Sequence, residues 1–108
     1  MTETWKHACP LAKLEDGEPH GVKLGEQNVA LYKVDDKVFA TDNVCSHAFA
    51  LLSDGFLDGH VIECPLHGAM FDVRTGKCQS NTYTDIKAFA VDLRDGEVYV
   101  NLDAKDPD

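Results

Sequence analysis

The 108 residues predict a small all-β domain, an antiparallel sandwich or barrel. Three observations predict it. Short alternating or apolar runs recur, turn dipeptides separate them, and helical periodicity is poor throughout. A chain of this length holds one domain with one core.

The elements follow in order. Met1 to His7 is polar and lacks the apolar stretch of a secretion signal. Pro10 to Asp16 can hold one short helical turn. Asn28 to Val34 alternates, with Ala30, Tyr32 and Val34 on one face and Val29 and Leu31 on the other. Asp35-Asp36 then turns the chain into a strand from Lys37. Asp58-Gly59 predicts a hairpin between 55–57 and 60–64, and Asp95-Gly96 a second between 86–93 and 97–102. Thr75-Gly76 closes a turn after Met70 to Val73. Residues 103–108 are polar, include Pro107, and are expected to fray as a flexible tail.

Ten basic residues stand against nineteen acidic ones, a net charge of −9. That excludes nucleic acid as the natural partner. It suits solubility, and equally steering toward a basic patch on a redox partner. No apolar run approaches the roughly 20 residues a membrane helix needs. Four cysteines without a secretion signal read as ligands and spares rather than a disulfide framework. A monomeric, cytoplasmic protein is expected.

Cys45-Ser46-His47 and Cys64-Pro65-Leu66-His67 carry the chemistry. Each short pair mixes one thiolate with one imidazole, whereas zinc sites usually pair like with like. The pattern suits two irons, with Cys45 and Cys64 on one and His47 and His67 on the other. A structural zinc ion on the same four ligands is the competing reading. Two ferric ions, two sulfides and two thiolates sum to zero when both imidazoles are neutral, whereas four thiolates would leave a dianion. Adding an electron to the neutral centre concentrates less like charge. The potential then falls between roughly −150 and +300 mV. Of five histidines, two are committed to the centre, so none are grouped as a His/carboxylate iron triad. The chain therefore reads as a carrier. Cys9 and Cys78 read as apolar fillers or partly exposed thiols, His60 as a turn residue, and His7 and His20 carry no spacing signal. Asp72 and Arg74 read as a local surface pair.

Cys45-x-His47 and Cys64-x-x-His67 resemble the Rieske iron–sulfur proteins. The resemblance implies one Rieske-type [2Fe–2S] cluster at the tip of a small subdomain, residues 45–76, inserted in a β-framework of 1–44 and 77–102. High-potential Rieske proteins carry an extra Cys in each ligand loop and Ser and Tyr hydroxyls aimed at sulfur. The matching positions here are Ala50, Leu66, Ala69 and Phe71. The chain therefore resembles the low-potential Rieske ferredoxins, because it lacks donors that stabilise the more negative reduced state.

Ala40-Thr41-Asp42-Asn43-x-Cys45, Ser53-Asp54-Gly55-x-Leu57, Ile62-Glu63-Cys64-Pro65-Leu66-His67 and Phe71-Asp72-Val73-x-Thr75-Gly76-Lys77 are similar to naphthalene-dioxygenase-type ferredoxins. That likeness implies a one-electron carrier, not itself an enzyme, between an NAD(P)H-dependent flavin reductase and a terminal oxygenase. Both contacts would be transient. A monooxygenase ferredoxin, or a small subunit or regulatory module of another oxidoreductase, shares these features. Two departures stand out. Ala48-Phe49 follows the first ligand His where Gly is common, and the third loop, residues 78–83, lacks proline. Leu51, Leu52 and Met70 are expected to pack the subdomain, Phe49 either to pack under its loop or to join a docking face, and Leu66 to face a partner.

Overall fold

The computed structural model describes residues 5–44, 50–65, 68–79 and 85–105. Among them the chain forms β1 (Trp5–Pro10), β2 (Pro19–Leu24), β3 (Gln27–Val34), β4 (Lys37–Asp42), β5 (Phe56–Asp58), β6 (Val61–Glu63), β7 (Met70–Asp72), β8 (Ala88–Arg94) and β9 (Glu97–Lys105). Single 3-10 turns span Leu11–Lys13 and Leu52–Asp54. No α-helix occurs among the described residues, and none of their helices is long and apolar enough to cross a membrane.

The strands build two antiparallel sheets. The larger runs β1-β9-β8-β4-β3-β2, and the smaller β5-β6-β7. Strands β1 and β2, the two ends of the larger order, pack against each other, so that sheet curls toward a barrel. The small sheet lies in sequence between β4 and β8, which themselves pair through Ala40–Phe89 and Thr41–Ala88. The chain thus leaves the framework after β4 and returns beside it.

Two apolar clusters result. Leu14, Leu31, Val38, Phe89, Val98 and Val100 fill the curled sheet. Tyr32, Leu52, Ile62, Cys64, Phe71 and Val73 fill the space between the two sheets. Strand β3 serves both: Val29 and Leu31 face one cluster, and Ala30 and Tyr32 the other. The alternation legible in the sequence is therefore buried on both sides. Burial pushes the Tyr32 hydroxyl pKa upward, and that hydroxyl lies 2.9 Å from Thr41 Oγ1.

Turn chemistry sets the hairpins. Asp35 and Asp36 both take positive φ (52° and 69°), as do Asp95 and Gly96 (52° and 78°). That is the backbone of a two-residue turn matching strand twist. The turn between β5 and β6 differs from the expectation. Asp58 pairs with Val61, so the loop is Gly59-His60 rather than Asp58-Gly59. Gly59 alone carries positive φ, the pattern of a turn with glycine first. The slide puts Leu57 opposite Ile62, an apolar pair on the inner face. Strand β9 runs past Leu102, and Lys105 pairs with Phe89. Residues 103–105, expected to begin a fraying tail, are therefore strand, because backbone pairing continues where side-chain polarity suggested an end.

After β7, Asp72 holds the next turn. Its carboxylate accepts from the Arg74 backbone N–H at 2.8 Å and from Arg74 Nε and Nη2 at 3.1 and 2.9 Å. These bonds hold its carboxyl below the usual range, against an opposing push from burial. Gly76 closes the turn at φ +80°, donating to the Asp72 carbonyl at 2.7 Å and accepting from Ile86 N–H at 2.9 Å. A Cβ on Gly76 would collide with the Ile86 carbonyl oxygen. Gly76→Ala should then cost about 2 kcal/mol or more, from the left-handed backbone and the displaced hydrogen bond. The thermal unfolding midpoint should drop by roughly 10 °C. A midpoint equal to wild type would mean that the 72–86 closure contributes no stability.

Candidate metal centre

Two loops leave the framework and small sheet side by side. The first follows β4. Val44 and Leu51 form an antiparallel bridge that closes the backbone around residues 45–50. Cys45 and His47 lie in this loop, outside the described residues, as do Ala48 and Phe49. The second loop follows β6. Cys64 N–H donates to the Ala69 carbonyl at 2.7 Å, and Gly68 N–H to the Cys64 carbonyl at 3.2 Å. His67 and Leu66 sit within this pinched turn, again outside the described residues. Cys64 is a free thiol, 1% exposed. It shares an apolar cluster with Ala69 of its own loop and with Leu52, against which Ala50 of the first loop also packs. That shared cluster makes the loops neighbours.

The foot of the first loop is fixed by Asn43, which is buried. Its Nδ2 donates to Ser53 Oγ at 3.0 Å, and its Oδ1 accepts from Ser53 N–H at 2.7 Å. Its backbone donates to the Asn28 carbonyl at 3.0 Å and accepts from Leu52 N–H at 2.7 Å. Gly21 of β2 leaves the space. A Cβ there would sit 2.8 Å from Ser53 Oγ and 2.9 Å from Asn43 Nδ2. Next to it, the Asp42 carboxylate accepts from Gln27 Nε2 at 2.7 Å and from Lys87 N–H at 3.1 Å. Strands β3 and β4 and the start of β8 are thus tied together where the loop begins. Sequence reasoning missed the Asn43–Ser53 exchange. Both residues fall in the resembling stretches, yet no spacing rule reveals a reciprocal amide bond.

The third loop is anchored on both sides. Gln79 N–H donates to the Met70 carbonyl at 2.7 Å, and Cys78 N–H to Asp85 Oδ1 at 2.8 Å. The proline-free stretch expected over 78–83 lies outside the described residues from Ser80 onward.

Ala69 and Phe71 are fully buried, so apolar matter occupies the positions where high-potential relatives carry hydroxyls. Leu52 packs as expected, but Leu51 and Met70 are exposed at 41% and 39%. Leu51 bridges Val44, which is likewise exposed, and Met70 lies on the outer face of the small sheet. His60 meets Phe39 edge-on, and His7 pairs with Glu97 at 2.6 Å on the framework. Cys9 is a free thiol in the framework core, its pKa raised by burial, whereas Cys78 packs against the other cluster.

A family model described as the Rieske [2Fe-2S] domain matches residues 4–90. This chain belongs to the Rieske family. The Rieske protein carries a [2Fe–2S] cluster, and two neighbouring loops with a buried thiol and mixed Cys/His donors fit that group chemically. The ferredoxin component of the naphthalene 1,2-dioxygenase/salicylate 5-hydroxylase systems of Ralstonia sp is 42% identical over 104 residues. The match spans 95% of this chain and 100% of that relative. The naphthalene 1,2-dioxygenase ferredoxin component of Pseudomonas aeruginosa is 42% identical over 103 residues, 94% of this chain and 99% of the relative. Among solved structures, the complex of reduced oxygenase and oxidized ferredoxin in carbazole 1,9a-dioxygenase matches with TM-score 0.85 and 38% identity. That match covers 99% of this chain and 100% of the other.

The Asn43 latch gives a prediction. Asn43→Ala leaves the Ser53 N–H and Oγ without their buried partner, a loss of about 2 kcal/mol. Ser53→Ala keeps the Ser53 N–H bond and should cost less. Bleaching of the Rieske protein's visible absorbance at fixed temperature should be faster in Asn43→Ala than in Ser53→Ala. The reverse order would place the latch's weight on the hydroxyl instead.

Proposed function

We propose that this Rieske protein is the ferredoxin component of a bacterial aromatic ring-hydroxylating dioxygenase system. In this reading it is a one-electron carrier between an NAD(P)H-dependent flavoprotein reductase and the terminal oxygenase. One observation carries the proposal: the chain matches ferredoxin components end to end, over 100% of the Ralstonia relative. The carrier has no substrate chemistry of its own, works as a cytoplasmic monomer, and meets both partners transiently.

Cys45, His47, Cys64 and His67 would hold the cluster, which supplies a site that takes up and releases one electron. The chain's own residues do the rest. Buried Cys64 sits in an apolar wall with Ala69 and Phe71, which keeps water and hydroxyl donors from that side. Without such donors the reduced, more negative state is less stabilised, and the potential stays low. The backbone pinches at Val44–Leu51 and Cys64–Ala69 fix the feet of the two loops that would carry the donors.

Ligand substitutions test the donor set. Cys45→Ser, His47→Ala, Cys64→Ser and His67→Ala should each lose native iron and acid-labile sulfide, and Cys9→Ser and Cys78→Ser should keep both. A cluster-free Cys78→Ser protein, or full iron in Cys45→Ser, would falsify the assignment.

The potential should lie near the bottom of the Rieske range, about −150 mV. Protein-film voltammetry at neutral pH measures it, and a value above zero would point to a respiratory-type partner instead. Reconstitution with a flavoprotein reductase and a naphthalene dioxygenase oxygenase tests the role. No product formation would defeat the carrier reading.

A further inference from the structure

The outer face of the small sheet carries an unusual row. Phe56 of β5 stands opposite Glu63 of β6, and Glu63 opposite Met70 of β7. Cross-strand partners of this kind have Cβ atoms about 5 Å apart. The three side chains therefore form one strip, an acid framed by two apolar groups, and all three are exposed. Phe56 is 68% exposed, more than any other large hydrophobic among the described residues. Behind the strip, Leu57, Ile62 and Phe71 pack into the core, so its base is rigid. Single exposed apolar side chains need no explanation, but two held in register around one carboxylate form a shaped surface. The strip also abuts the second loop. A Cβ on Gly68 would lie 3.6 Å from Glu63 Oε2, so the carboxylate rests against the turn that begins at Cys64.

We propose that Phe56, Glu63 and Met70 form a docking surface for a basic redox protein that presents an arginine. The proposal rests on the electron-carrier reading above and adds a recognition surface to it. Charge selects the partner. A second copy would bring −9 against −9 and set like strips face to face across a two-fold axis. A basic protein is attracted instead. Arginine fits better than lysine, because its planar guanidinium can fork onto the carboxylate while stacking on the Phe56 ring. The contact is small and transient, under about 1,200 Å².

Glu63→Gln, Glu63→Arg and Phe56→Ser change only exposed side chains. Asp36→Asn removes one charge from the β3–β4 turn, at the end of the sheet away from both loops. The holoproteins are reduced with dithionite and mixed by stopped flow with two acceptors over a salt series. One acceptor is cytochrome c, a basic haem protein. The other is the purified oxygenase component of the Pseudomonas putida naphthalene 1,2-dioxygenase system. In the first, one electron leaves the reduced carrier and the ferric haem becomes ferrous, with no proton or bond exchanged. Each variant's potential is measured so that rates are compared at equal driving force.

At low salt, Glu63→Gln and Phe56→Ser should each slow transfer by about threefold or more, and Glu63→Arg further. Glu63→Gln should also flatten the salt dependence, while Asp36→Asn leaves the rate unchanged. Variants that match Asp36→Asn with both acceptors overturn the proposal, as does a wild-type dimer in sedimentation that Phe56→Ser dissolves. If cytochrome c shows the dependence and the oxygenase accepts no electron from wild type, the docking surface stands and the dioxygenase reading fails. Normal turnover by every variant with both acceptors has the opposite meaning.

Discussion

The two-sided burial of β3 is the constraint on which the molecule depends. Val29, Ala30, Leu31 and Tyr32 are each fully buried. Two consecutive residues feed the curled framework and the inter-sheet layer in turn, so neither cluster can form without the other's wall. Burying a large aliphatic side chain such as Val29 or Leu31 contributes about 1.5–3 kcal/mol, and four buried residues in a row anchor the central strand. The small sheet is therefore docked on the back of the framework. The position of Cys64 follows, since it shares the cluster that Tyr32 and Ala30 help to build.

The feet of both loops rest on this docked layer. Backbone hydrogen bonds close each at its foot, and the Asn43–Ser53 exchange locks the first to the 3-10 turn that follows it. Gly21 illustrates the economy of the arrangement: a residue on β2, far in sequence from Cys45 and Cys64, is small because an amide and a hydroxyl occupy the space a side chain would take. Gly55 follows the same logic, since its Cβ would strike the Glu63 carbonyl oxygen one residue before Cys64. Close backbone approach, not turn geometry, sets the residue there.

Charge plays a different part. The ion pairs Arg74–Asp72 and Arg94–Asp92 and the His7–Glu97 contact each involve a substantially exposed partner. Exposed pairs stabilise by about 1 kcal/mol at most, so they do not hold the fold. Arg94 also lies over Trp5 and Tyr99, at 5.3 and 5.1 Å from their ring centroids, and covers the outer face of β1 and β9. The acid excess remains a long-range property of the surface, available for steering and screened within about 8–10 Å by salt.

The sequence by itself determined the all-β class, the Asp35-Asp36 and Asp95-Gly96 turns, and the paired Cys/His motifs. These are local matters: positive φ, period-two alternation and donor type are properties of a few adjacent residues. Tertiary structure decided what depends on distant partners. The pairing of Leu57 with Ile62 moved one turn to Gly59-His60, and pairing with Phe89 carried β9 to Lys105. Strands β1 and β2 were not legible as separate elements, because Trp5–Pro10 and Pro19–Leu24 contain proline or glycine and alternate weakly; their partners β9 and β3 define them. The exposure of Leu51 and Met70, both apolar, was set by which face of a bridge or sheet they occupy. Hydropathy counts the side chain, but only the register of the sheet decides which way it points.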